Sequence, residues 1–213
     1  MPEQSVRPRR EEAYQTVLDL ILKGTLREDS RIVESTLCDE LGVSRTPMRE
    51  ALFRLEQEGL VKQDLARGFS VMPMNAREVR EIYPIIWTLE VLAIKSAERA
   101  FNIDGLKALN RSLQKCTSPD KQHEIDDQWH DQLIAGCKNR RLHKEIAALK
   151  QSAYRYELAY MRYCNKINTS IEHHKEVLDA IENDEIKNAT KLLEQHWRFG
   201  MKTLLDWLDW RGD

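Results

Sequence analysis

The chain has 213 residues and a formal charge of −2 at neutral pH, which fits one large domain or two small ones and gives no bulk-charge sign of a nucleic-acid or membrane-surface partner. Only eight glycines and six prolines, roughly half the usual share of about 12%, argue against an all-β sandwich of tight turns and favour long helices. No apolar run reaches the ~18–20 residues of a membrane span, and the start, Met1-Pro2-Glu3-Gln4, lacks a signal peptide's apolar core. Cys38, Cys116, Cys137 and Cys164 have no CxxC spacing. They are expected to be reduced thiols of a cytoplasmic protein without membrane contact.

The breakers cluster early, so two domains are expected, 1–75 and 76–213, with the boundary near Pro73–Asn75. Ala13, Val17, Leu20 and Ile21 recur at helical spacing, and Gly24 ends that helix. A short helix from Ser35 to Leu41 closes at Gly42. The next runs from about Arg45 to Glu58, with Ser44 or Thr46 as cap and Pro47 in its first turn, where a missing N–H costs little. Its inward face is Met48, Ala51, Leu52 and Leu55. Residues 60–63 and 69–72 flank Asp64-Leu-Ala-Arg-Gly68, which predicts a two-stranded hairpin. This is the element order of a winged helix-turn-helix, a fold that lays one helix in the DNA major groove and sets the hairpin on the backbone. Arg45 and Arg49 are four apart on one face, with Arg67 at the hairpin tip. Guanidinium forks suit guanine edges and phosphates, although spacing alone equally describes a solvated helix face.

The string Leu41-Gly-Val-Ser-Arg-Thr-Pro-Met-Arg-Glu-Ala-Leu52, with Leu55-Glu-Gln-Glu-Gly-Leu-Val61 and Arg67-Gly-Phe-Ser-Val71, closely resembles the DNA-binding signature of the GntR family of bacterial transcription regulators. The resemblance covers about residues 10–73. It implies that Ser44, Arg45, Thr46 and Arg49 meet bases and phosphates and that Arg67 and Gly68 form the wing contact. One departure is Glu28-Asp29, where the family usually carries Pro-Gly.

After Asn75, where Asn75 to Glu78 reads as a capping box, helical periodicity predicts helices at about 76–101, 104–116, 120–136, 139–163, 170–182 and 185–209. Asp104, Asn139, Thr169 and Asp184 are the expected start signals, and Pro84 should disturb the first helix. The second half is therefore expected to be an all-α bundle. Asp126 and His130 stand at i and i+4 on one helix, and His174 and His196 lie on the last two helices. Imidazoles and a carboxylate so placed suit Zn²⁺, or Ni²⁺, Mn²⁺ or Fe²⁺ with water completing the shell. The plain alternative is ordinary hydrogen-bonded histidines.

Asp126-Asp-Gln-Trp-His130, Glu172-His-His174 and His196 look like the spaced motifs of the FCD effector domain of the FadR subfamily. That resemblance implies a divalent metal held by Asp126, His130, His174 and His196, with His173 and Asp127 facing elsewhere. Many relatives carry an arginine for a carboxylate effector about four residues before the Glu90 position. Here the stretch is Ile85-Ile-Trp-Thr88, with Arg155 or Arg162 left as conceivable substitutes. Trp129 replaces the usual Phe, a change expected to alter only packing.

The expected function is a ligand-responsive repressor that binds a pseudo-palindromic double-stranded DNA operator as a homodimer, with a metal-centred small-molecule site in its helical half. Two rivals are a metal-free winged-helix protein whose helical half only dimerises, and a metal-dependent hydrolase. No nucleophile constellation or glycine-rich phosphate loop supports the second, so no catalytic residue is assigned.

Overall fold

The computed structural model describes residues 3–64, 68–97, 101–164 and 166–211. They divide into two compact units, Met1–Asn75 and Ala76–Asp213.

The first unit begins with α1 (Glu3–Leu22), followed by strand β1 (Arg31–Ile32). Then come α2 (Glu34–Leu41), α3 (Arg45–Gln57), β2 (Val61–Asp64) and β3 (Gly68–Val71). Ala13, Val17, Leu18 and Ile21 of α1 and Met48, Leu52 and Leu55 of α3 are almost fully buried, and the two helices pack together. Each buried Leu or Ile contributes roughly 1.5–3 kcal/mol of transfer free energy. α2 stops where Gly42 turns into the left-handed region (φ 61) and gives its N–H to the Cys38 carbonyl. That conformation is strained for a residue with a Cβ, and it lets α3 start three residues later in a new direction.

The wing contains the expected hairpin and one strand more. β2 and β3 pair antiparallel with Asp64 opposite Gly68, but β1 adds a third strand, with Arg31 opposite Ser70. Two residues are too few for any periodicity to announce. Alternation then buries Ile32, Phe69 and Val71. Asp29 has φ 58, so the backbone keeps a left-handed turn where the family usually has glycine; Asp tolerates it better than most side chains.

The second unit is all helix among the described residues. It comprises α4 (Ala76–Ser96), α5 (Ile103–Lys115), α6 (Pro119–Ile134), α7 (Arg140–Ala159), a π-helical turn at Tyr160–Cys164, α8 (Ile167–Glu182) and α9 (Ile186–Arg211). α4 packs on α7 and α9, and α8 on α9 and α5. Asn139 caps α7 as expected, its Oδ1 accepting from the N–H groups of Arg141 and Leu142. The cap of α5 is Asn102, which accepts from the Gly105 N–H, and Asp104 falls inside the first turn. Thr169 lies within α8, which begins two residues earlier, and Asp184 takes a left-handed turn (φ 60) ahead of α9. α4 continues past Pro84 to Ser96, and the Thr88 hydroxyl donates to the Pro84 carbonyl at 2.7 Å. The four cysteines are free thiols, and no described helix is long and apolar enough to cross a membrane.

Candidate functional site

Two surfaces carry the chemistry, one in each unit. In the first, the start of α3 presents Ser44, Arg45, Thr46 and Arg49 to solvent. Ser44 is the N-cap residue, but its side chain caps no N–H, so the hydroxyl is not consumed by the helix. Arg45, Thr46, Arg49 and Gly68 line one open groove. Gly68 has φ 81, a turn that brings the wing strand back beside α2. Arg67 lies outside the described residues. Sequence reasoning missed Arg31 and Ser35, which line the same groove. Arg31 arrives there through β1, the strand no periodicity could reveal. Arg49 is half exposed and lies 3.7 Å from the Glu34 carboxylate.

In the second unit the four expected residues converge. The amphipathic faces of three helices drive this: Asp126 and His130 share the buried stripe of α6 with Trp129 and Leu133, His174 sits in that of α8, and His196 in that of α9. Nitrogens of the three histidines all lie within 4.8 Å of one another. His130 Nε2 is 3.3 Å from His196 Nε2. Asp126 Oδ1 is 3.6 Å from His174 Nε2, and its Oδ2 is 3.9 Å from His130 Nε2.

The surroundings set the tautomers. Glu90 Oε2 accepts from the His130 Nδ1–H at 3.0 Å and from the Trp197 indole N–H at 2.7 Å. His130 Nε2 thereby faces the cluster, and it offers a lone pair there whenever the ring is neutral. Asn110 gives its amide N–H to the Ile171 carbonyl, which turns its Oδ1 toward His174 Nδ1 at 3.3 Å. His174 therefore donates from Nδ1, and its buried Nε2 has no hydrogen-bond partner; nor does Asp126 Oδ1. Two acceptors thus face each other with no proton between them. Trp129 does more than fill space, because it stacks flat on His174 with ring centroids 3.7 Å apart.

Burial pushes the Asp126 carboxyl up to about 6 against the pull of His130 and Lys150. Burial and the neighbouring imidazoles hold His174 and His196 well below the ordinary histidine range. Burial opposes ionisation of Glu90 as well, but the charge and hydrogen bond of His130 keep it below the usual carboxylate range.

His173 turns edge-on to Phe199 and lies outside the cluster. Asp127 pairs with Lys150 at 2.6 Å. Arg155 bonds Glu78 and Arg162 bonds Asp120 at 2.6 Å, and neither lines the cavity of about 240 Å³ that opens beside Asp126 and His130. Glu90 was not foreseen as a site residue. Its signal was present, since it occupies a core position in the α4 stripe of Tyr83, Ile86 and Ile94. Lys150 and Asn110 gave no such signal.

Residues 9–71 match the family model for bacterial regulatory proteins of the gntR family, and residues 81–199, more than half of the chain, match that of the FCD domain. The chain belongs to the GntR family of transcription regulators. Its second unit is an FCD domain. The uncharacterized HTH-type transcriptional regulator YdhC of Bacillus subtilis (strain 168) is 25% identical over 191 residues, which cover 86% of this chain and 85% of that one. The HTH-type transcriptional repressor GlaR of Escherichia coli (strain K12) is 24% identical over 200 residues, covering 87% and 90%. Among solved structures, E. coli McbR/YncC superposes with a TM-score of 0.62 at 20% identity over 94% of this chain and 98% of that one. Lar, which controls expression of the Listeria monocytogenes agr system, superposes with a TM-score of 0.67 at 17% identity over 92% and 95%. These likenesses show the fold, and the GntR membership makes this chain a regulator rather than an enzyme.

Proposed function

We propose that this GntR regulator is a dimeric repressor that holds a divalent metal in its FCD domain and releases a pseudo-palindromic operator when a small molecule enters the helical unit. The metal ligands are Asp126, His130, His174 and His196. One observation carries this reading: His174 Nε2 and Asp126 Oδ1 are buried acceptors 3.6 Å apart, neither with a donor. Buried lone pairs facing each other are costly, and a cation among them removes that cost. Three imidazoles and one carboxylate fit Zn²⁺, and Ni²⁺, Mn²⁺ or Fe²⁺ accept the same donors. When bound, the ion supplies a Lewis-acidic anchor. Glu90 and Asn110 orient two of its imidazoles, as outer partners of metal-bound histidines do.

On the DNA side, Ser44, Arg45, Thr46 and Arg49 read the major groove, while Gly68 and Arg67 bring the wing to the backbone. Arg31 joins them as a phosphate contact. Arg31 and Arg45 make no ion pair among the described residues, whereas the exposed Arg10, Arg54 and Arg198 each have a carboxylate partner. Dimerisation is supported by Ile85 and Leu92, 47% and 48% exposed and seven residues apart on α4; such a stripe suits a self-complementary contact. The repressor sign follows that carried by the name of GlaR. A ligand shifts DNA binding only through its different affinity for the two states. Gel shifts on the DNA upstream of the protein's own gene test the reading. A palindromic site should compete far better than random DNA at matched salt, and equal competition refutes it.

A further inference from the structure

One side chain in the groove beside α3 does nothing for the fold. Resting on the operator reading above, we infer that Val33 reads the C5-methyl group of a thymine in each half-site of the operator. Val33 is 51% exposed and lines the open groove with Arg31, Arg45, Thr46 and Arg49. Among the described residues it is the one exposed large apolar side chain of that groove. Lone apolar residues on a surface are ordinary, but the position of this one is not. Val33 is the N-cap of α2, with φ −90, ψ 96 and no side-chain cap bond. An N-cap favours Ser, Thr, Asp or Asn, and valine is among the poorest residues there. The stability of α2 therefore argues for a different residue.

The backbone duties at this position make no use of the side chain. The Val33 carbonyl accepts the Leu37 N–H at 3.2 Å, a bond that any residue can offer. The entry into the helix belongs to its neighbours. Ile32 and Leu37, 2% and 4% exposed, occupy the two positions of a hydrophobic staple, one before the cap and one four residues into the helix. Side chains alternate along extended chain. Ile32 accordingly turns to the core, while Arg31 and Val33 both face solvent. Two residues of extended chain span about 6.6 Å, so Val33 sets its methyl groups beside the guanidinium that meets a phosphate. Thymine is the base that presents a methyl in the major groove. An apolar side chain meets that methyl without loss, whereas opposite the amino group of cytosine or adenine it leaves a donor without a partner.

Selection from duplexes with a randomised core of about 20 base pairs, room for two half-sites one helical turn apart, compares the full wild-type chain with Val33→Ser. Serine is the better cap, so the variant's melting temperature should hold or rise. Wild type should enrich one thymine per half-site that Val33→Ser does not. Each thymine of the enriched duplex is then replaced singly by uracil, which removes the methyl alone. At one position per half-site wild type should lose about fourfold in affinity, the worth of one buried methyl, and Val33→Ser should bind both duplexes alike. A thymine met by the methyl of Thr46 stays sensitive in both proteins. Affinity for random DNA and its salt slope should be the same in both, because no charge changes. A variant that melts lower, or one that keeps the wild-type motif and every uracil penalty, overturns the inference and leaves the regulator reading standing. A wild type that enriches no motif overturns both.

Discussion

Glu90→Gln isolates the claim that the histidine cluster is tuned for metal. Glu90 is fully buried, and one oxygen accepts both the His130 and the Trp197 N–H groups, at 3.0 and 2.7 Å. Glutamine keeps the volume, and its carbonyl can take the same two bonds. It brings no charge, so His130 becomes a weaker base and a weaker ligand. Outer partners of this kind are worth about 10–100-fold in metal affinity, or roughly 1.4–2.7 kcal/mol. The new amide N–H₂ falls where Glu90 Oε1 now has no partner; leaving those donors buried costs a further ~1–3 kcal/mol of fold stability. Chelator competition measures the first effect, and the melting temperature of chelated protein measures the second. A metal dissociation constant within about twofold of wild type, in a variant that is clearly destabilised, would show that Glu90 supports only the fold and refute its tuning of the site.

Three further outcomes follow from the same geometry. Arg49→Ala should cost roughly 1–3 kcal/mol in operator binding and relax preference at one base pair, read by competition gel shifts. Arg31→Ala should weaken all sequences alike and flatten the slope of log affinity against log salt by about 0.9, as for one lost phosphate contact; a change in base preference with no change in slope contradicts its role. Burial pushes the Glu157 carboxyl from 4.5 up to about 7, so the folded state prefers it protonated. That preference stabilises below the unfolded value and is lost as pH rises through the folded one. Glu157→Gln should therefore flatten the decline in melting temperature of chelated protein between about pH 4.5 and 7, and an unchanged decline counts against a carboxyl whose desolvation outweighs the hydrogen bond it accepts from Tyr83.

The proposed DNA-reading surface was legible because its signals are local. A proline in the first turn and an apolar stripe mark α3 wherever it packs, and Gly42 marks the turn before it. The strand β1 was not legible, because its partner is set by a backbone pairing that two residues cannot encode. In the FCD domain the i, i+4 pair Asp126 and His130 was readable from one helix. The company they keep was not. Glu90, Asn110 and Lys150 reach the site only because α4, α5 and α7 pack around α6, and helix packing is decided by summed side-chain shape rather than by any short string. Helix starts slipped for a smaller reason. Asn102 and Asp104 are both good caps, and a competition between neighbours of equal propensity is settled by the turn that precedes them.

The central claim is that buried acceptors in the FCD domain surround a metal that belongs to the native protein. Metal analysis of the protein purified without chelator, beside His174→Ala, tests it most directly. Wild type should carry about one divalent ion per chain, and the variant should lose most of it while its far-UV dichroism shows the helices intact. A wild type that carries no metal after growth in metal-supplemented medium, yet still releases its operator to a small molecule, would contradict it.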